Sequence, residues 1–190
     1  RAGVRYESFS SRELLQSTKS GPMWQVRTEL GAQHDFEPWP RLLLSPALRV
    51  ELHDSRYEPD EGATTGAGSV DEQYWSPSLG ARLLTLPGLF VRANVGRYVR
   101  PPDIGELFGD RGAVVGNPRL RSESGLNADA GLSYLLAGDG ALSLLRLDAA
   151  WFGAWVEDLI AYVQSSQSTV RPENVDDARI QGAEASARAR

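Results

Sequence analysis

The chain has 190 residues, a net charge of −5 and a pI near 5.1; that length suits one sizeable domain, and the charge lacks the clustered Lys/Arg excess of a nucleic-acid binder. Cysteine is absent, which removes disulfides and thiolate metal sites while leaving the compartment open. No run of roughly 18 apolar residues is present, so no membrane-spanning helix is expected, and with Arg1 preceded by no export signal the chain reads as an excerpt of a longer protein.

Period-two alternation dominates, as expected where successive side chains of a strand face opposite sides. It predicts about eight strands, near 2–11, 23–37, 41–54, 74–85, 89–100, 124–136, 141–163 and 178–190. In the second, Trp24, Val26, Thr28 and Leu30 oppose Gln25, Arg27, Glu29 and Gly31. The third sets Leu42, Leu44, Pro46, Leu48, Val50 and Leu52 against Arg41, Ser45, Arg49, Glu51 and His53, and the fourth sets Trp75, Pro77, Leu79, Ala81 and Leu83 against Ser76, Ser78, Gly80 and Arg82. The fifth gives Leu89, Val91, Ala93 and Val95 on one side and Arg92, Asn94 and Tyr98 on the other. The sixth continues with Leu126, Ala128, Ala130, Leu132 and Tyr134 against Asn127, Asp129, Gly131 and Ser133.

Connection lengths alternate between long and short. Pro38-Trp39-Pro40, Leu86-Pro87-Gly88 and Ala137-Gly138-Asp139-Gly140 have the residues of tight turns. Arg12–Pro22, Ser55–Gln73, Pro101–Glu123 and about Gln164–Asp177 form the long connections. That parity, the alternation and strands longer than the roughly 9–11 residues that cross a tilted bilayer predict an antiparallel transmembrane β-barrel. Trp24, Trp39, Tyr74, Trp75, Tyr98, Tyr134 and Trp155 lie toward strand ends, where aromatic girdles meet the lipid–water boundaries. Arg97 falls on the apolar parity; a position near the long-loop end, where such a charge costs about 0–1 kcal/mol, accommodates it, and a bulge near Gly96 is the alternative.

Binding chemistry is confined to the long loops. Pro101 to Gly109 predicts a short helix with Asp103 near its positive end and Ile104, Leu107 and Phe108 packed inward. Glu58-Pro59-Asp60-Glu61-Gly62 lacks the ligand spacing of a Ca²⁺ loop and reads as a solvated run. Gly62 to Gly68 lacks the Lys-Ser/Thr ending of a phosphate loop and reads as linker. His34 and His53 show no metal-ligand spacing and read as strand-end polar residues. Glu157-Asp158 and Asp176-Asp177 fall at strand–loop junctions. With no nucleophile elbow and no histidine constellation, neither catalysis nor a metal or cofactor site is expected.

One run carries a family resemblance. Arg100-Pro101-Pro102, Glu106-Leu107-Phe108, Gly116-Asn117-Pro118-Arg119-Leu120-Arg121-Ser122-Glu123 and Asn127 to Gly131 resemble, in order and spacing, the TonB-dependent outer-membrane receptors. Val99, Ser122 and Ala130 depart from the residues usual there. Leu44 to Arg49, Ser76 to Gly80, Trp151-Phe152, Glu157 to Ile160, Asn174 and Ala178 to Glu184 extend the similarity over most of the chain. The resemblance implies a partial barrel, about eight consecutive strands of a cylinder that closes with 22 around a plug. Plug, signal peptide and barrel C-terminus are then expected outside residues 1–190.

It implies uptake of a ferric siderophore or cobalamin through the bacterial outer membrane, with other chelates or carbohydrate as further cargoes and with the TonB complex acting on the plug. Arg100, Asp103, Glu106 and Arg119 are the loop candidates for ligand contact, beside an architectural reading of the same loop. Arg27, Arg49, Arg82, Arg92 and Arg146, with Glu29, Glu51 and Asp148, share the inward face and are assigned to plug docking or intra-wall ion pairing. A small closed barrel of eight strands, membrane-bound or lipocalin-like, is the alternative and requires pairing of the first strand with the last. A barrel enzyme, the other alternative, requires a Ser/His or Asp/His site at the loop rim.

Overall fold

The computed structural model describes residues 2–9, 23–58, 68–109, 113–137 and 143–190. Along the chain come β1 (Ala2–Phe9), β2 (Met23–Gln33), β3 (Phe36–Trp39), β4 (Leu42–Tyr57), β5 (Gly68–Leu86) and β6 (Leu89–Arg100). The short helix α1 (Ile104–Phe108) precedes β7 (Glu123–Ala137), β8 (Leu144–Glu157), β9 (Ile160–Gln164), β10 (Val170–Asn174) and β11 (Ala178–Ala189). The main sheet runs β1-β2-β4-β5-β6-β7-β8-β11, antiparallel throughout, with β3 beside β4 and with β9–β10 as a separate hairpin. The eight strands of that path are the expected eight. Its ends, β1 and β11, are not paired with each other, so the contact that defines a small closed barrel is missing among the described residues.

Register separates two chemically different faces. Leu83, Val91, Leu132, Ala149 and Ala185 stand in one cross-strand row, and Leu30, Val50 and Trp75 in another. This apolar face is bare: Trp75 and Leu132 are each 50% exposed. On the opposite face, Arg27 meets His53 and Glu72, while Glu29 meets Glu51 and Tyr74. The expected wall of Arg27, Arg49, Arg82, Arg92, Arg146, Glu29, Glu51 and Asp148 does share that side. Pairing of β6 with β7 is unbroken from Leu89 to Arg100. Arg97 therefore keeps the apolar parity, in a row with Leu126, Trp155 and Arg179, and needs no bulge.

Among the described residues, the buried apolar cluster lies under the loop that follows β6. Leu107, Leu120 and Ile160 are 1%, 7% and 8% exposed, with Val70 and Phe108 packed against them. The helix forms because Asp103 caps it: the Glu106 N–H donates to Asp103 Oδ1 at 2.8 Å, and the Asp103 N–H donates to Glu106 Oε2 at 2.9 Å. Gly109 ends it at φ 81°, where glycine carries no steric penalty.

The structure departs from several expectations. Strand 23–37 breaks at His34-Asp35, and strand 141–163 breaks after Glu157, where Asp158 takes φ 55°. The expected loop 164–177 contains half of the β9–β10 hairpin. β5 starts at Gly68 rather than near 74, which shortens the preceding loop. Tyr74 and Tyr98 lie on the polar face, outside any aromatic girdle, and Phe152 and Ile180 lie there too. His53 is interior to β4 and only 4% exposed rather than a solvated strand end. Loop 12–22, Pro59–Ala67 and the Gly138-Asp139-Gly140 turn lie outside the described residues.

Candidate functional site

The connection between β6 and β7 folds back over the polar face. Gln25 fixes its start, donating from Nε2 to Ser55 Oγ at 2.9 Å and to the Pro102 carbonyl at 3.4 Å. At the end of β6, Arg100 reaches both carboxylates of the fold-back. Its Nη1 donates to the two Glu106 oxygens at 3.2 Å, and its Nε to Glu123 Oε2 at 3.3 Å. Glu106 and Glu123 are 4% and 7% exposed, and the guanidinium and the hydrogen bonds they accept offset the cost of burying them. Burial works to lower the Arg100 pKa, but the Glu106 and Glu123 carboxylates outweigh it and hold the guanidinium above its ordinary value. Glu123 also accepts from Tyr98 Oη at 3.2 Å and from the Ile160 N–H at 3.4 Å.

Three of the four loop candidates, Arg100, Asp103 and Glu106, thus come together in one network, and that network holds the loop. Arg119 stands apart from it, exposed, with its backbone N–H donating to Asn117 Oδ1 at 3.2 Å. The loop is then tied to the second hairpin. Asn117 Nδ2 donates to the Pro172 carbonyl at 3.0 Å, and the Val115 N–H to the Val170 carbonyl at 2.9 Å. Asn174 accepts from the Arg121 N–H at 2.8 Å and donates to the Arg121 and Asp158 carbonyls at 2.9 and 2.8 Å. Arg121 adds an ion pair to Asp158 at 2.5 Å. Ser122 closes the set against Tyr74 and Glu72 on β5.

The pairing role of Asn174 had one visible signal, an amide in a segment otherwise read as loop. The pairing of Arg121 with Asp158 had none, because 37 residues separate them.

Beside the cap is an open recess of about 680 Å³, whose walls include Glu29, Arg49, Ser76, Ser78, Tyr98 and Asn127. It exists because β5–β6 pairing stops at Ser78 and Gly96, so the last residues of β6 diverge from β5. Arg49 pairs with Glu51 at 3.0 Å and approaches Glu29 at 4.0 Å, and hydroxyl and amide groups, Arg97 and Leu48 complete the lining. Among the described residues no group of three or more His, Asp or Glu side chains is placed to hold a metal ion.

The profile of the family described as "TonB dependent receptor-like, beta-barrel" matches residues 16–190. No curated protein matches the chain. Among solved structures, the hemophore receptor HasR of Serratia marcescens, in complex with its hemophore and heme, is similar at 17% identity and a TM-score of 0.68, covering 100% of this chain and 36% of its own. The copper transporter OprC is 20% identical with a TM-score of 0.67, at 98% and 32% coverage. The ferric enterobactin receptor of Pseudomonas aeruginosa is 21% identical with a TM-score of 0.58, at 90% and 25%. The chain therefore spans about a quarter to a third of these relatives.

Proposed function

Because the chain belongs to the TonB-dependent receptor-like β-barrel family, we propose that it forms part of the wall of a bacterial outer-membrane receptor that imports a scarce nutrient under TonB drive. The observation that carries this reading is the inverted packing: large apolar side chains stand bare on one face while charged and hydroxyl side chains are buried on the other. Such a sheet is stable where hydrocarbon covers the apolar face and protein or water meets the polar one. Ferric siderophore is the proposed cargo, cobalamin the runner-up. Two of the three relatives above are named with iron-bearing ligands, heme and ferric enterobactin, and the third with copper.

In this reading the loop end of the sheet faces outward, and a plug elsewhere in the protein lies against the polar face and contacts the TonB complex. Arg119 and the recess beside Ser76 and Asn127 are the proposed ligand-facing groups, with Arg100, Asp103 and Glu106 shaping the rim. The test uses the full-length protein in iron-starved cells. It should fractionate with the outer membrane, require detergent for extraction, and take up a labelled ferric chelate only while the proton gradient is intact. Recovery as a detergent-free monomer, or uptake indifferent to the gradient and to TonB, would sink the proposal.

A further inference from the structure

The ladder between β5 and β6 ends early. Pairing of β4 with β5 runs on to Tyr57 and Gly68, and pairing of β6 with β7 to Arg100 and Glu123, but β5 and β6 stop at Ser78 and Gly96. At that last pair the two backbones are in close contact, since a Cβ on Gly96 would lie 2.9 Å from Ser78 Cβ. Pro77 accounts for the parting that follows. Its carbonyl lies on the β6 side, 3.7 Å from the same Gly96 position, and a residue of an antiparallel ladder turns both backbone groups to one edge. The N–H that Arg97 would need there is the one proline lacks. A row of the apolar parity, Ala32, Leu48 and Pro77, is thereby cut off from its continuation through Arg97, Leu126 and Trp155.

The gap lies between lipid chemistry and polar chemistry. Exposed Leu48 and Trp75 stand on its β5 side, and exposed Leu79 and Val95 are paired directly beneath it. Behind it is the recess of about 680 Å³, whose lining joins Leu48 and Arg97 of the apolar parity to Ser76, Ser78, Tyr98 and Asn127 of the polar one. Backbone without a ladder is tolerated at membrane depth only where it is buried in protein or borders a water-filled cavity, and the recess supplies one. Arg97 stands where the two linings meet and makes no hydrogen bond or ion pair among the described residues.

We propose that the gap is a lateral portal for an acylated ligand. The hydroxyl- and amide-bearing head sits in the recess, the carbonyl joining head to chain lies against Arg97, and the acyl chain leaves between β5 and β6 into the outer leaflet along Leu79 and Val95. The proposal rests on the import reading and deepens it, because it gives the cargo a chemical class: a ferric chelate carrying a fatty acyl chain. A wholly polar chelate would leave water in the gap against hydrocarbon, whereas an amphiphile matches both linings at once. A bilayer phospholipid fits less well, since inside the recess Arg49 is already paired with Glu51 and Glu29 and offers no free cation to a phosphate.

The test uses the full-length receptor in native outer membranes and a ferric trihydroxamate bearing a lauroyl chain with a diazirine near its end. Light should attach this probe saturably to peptides containing Leu79 or Val95. Unlabelled lauroyl chelate should remove the label, and the same chelate acetylated instead of lauroylated should compete about tenfold less well. P77T, which returns the missing donor to β5, should lower the saturable label about fivefold while heat-resistant migration shows a folded barrel. A reductant-cleavable bridge between the thiols of W75C/V99C should lower it too, and reduction of that same protein should restore it. R97Q should weaken the lauroyl chelate about tenfold. Labelling that does not saturate, equal competition by laurate, by the acetylated chelate or by phosphatidylethanolamine vesicles, or labelling indifferent to P77T and to the bridge overturns the proposal. Uptake of the acetylated chelate that still requires the proton gradient through such a failure leaves the transport reading standing.

Discussion

Arg100 is the residue on which the loop depends most. Its Ala variant would leave Glu106 and Glu123 buried without their cation, and charged hydrogen bonds of this kind contribute about 1.5–3 kcal/mol. The expected result is a roughly 10- to 100-fold rise in amide hydrogen exchange at Leu107 and Gly109 in the detergent-solubilised full-length protein, with the β7–β8 ladder unchanged. D103A should act in the same place more weakly. Loss of an N-cap costs about 1 kcal/mol, so exchange at Glu106 should rise about fivefold, and no effect at either position would mean that the cap does not control the loop. The short helix and the place of Asp103 at its positive end were legible in the sequence because such signals are local, whereas Glu106 was read as a ligand-contact candidate and not as the partner of that cap. The Arg100–Glu123 contact was not, since its partners lie 23 residues apart and nothing in either sequence neighbourhood marks the other.

At the scale of elements, the turns that follow β3 and β5 carry opposite backbone chemistry. Gly88, between β5 and β6, takes φ 81°, and a Cβ there would lie 2.2 Å from the Leu135 carbonyl oxygen. Arg41, between β3 and β4, takes φ 78° with a side chain in place. A left-handed conformation costs a non-glycine residue about 1–2 kcal/mol. R41G should therefore stabilise the refolded full-length barrel against urea by about 1 kcal/mol, while G88A should destabilise it by at least that amount; the same sign for both would refute the backbone account. Strand existence was legible because alternation is local, and strand ends were less so. Gly68 to Gln73 holds a single apolar residue, Val70, so it carries no period-two signal and reads as loop, although pairing with Ser55 to Tyr57 and neighbouring rows makes it strand. Asp158 conceals the opposite error, for it breaks an apparently continuous run at a positive φ without the glycine that usually marks one.

The whole molecule is organised inside out, and that arrangement predicts how charge is tolerated. Leu132 lies in the middle of the apolar face, 50% exposed, flanked by Val91 and Ala149. L132R should destabilise the full-length protein refolded into bilayers by about 2–4 kcal/mol, whereas R97L near the loop end should change it by about 0–1 kcal/mol. Equal effects would remove the depth dependence that hydrocarbon imposes. Sequence parity assigned Leu132 and Arg97 to this face correctly, yet placed Tyr74 and Tyr98 in a girdle they do not join. Amphipathic rings satisfy their hydroxyls equally well at a lipid boundary or against buried carboxylates, and composition does not distinguish the two.

The parting of β6 from β5 gives the wall a line of mechanical weakness. Below Ser78 and Gly96 each strand is bonded to neighbours on both sides; above them β6 hangs from β7 alone, and the edge of β5 from Gly68 to Pro77 faces the cap instead of a strand. Tension on the sheet is shared by ladders where they are continuous and concentrates where one ends. A tear begun at the rim would start in this notch, and the contacts of Ser122 with Tyr74 and Glu72, which tie β5 to the residue just before β7, act as its stitches.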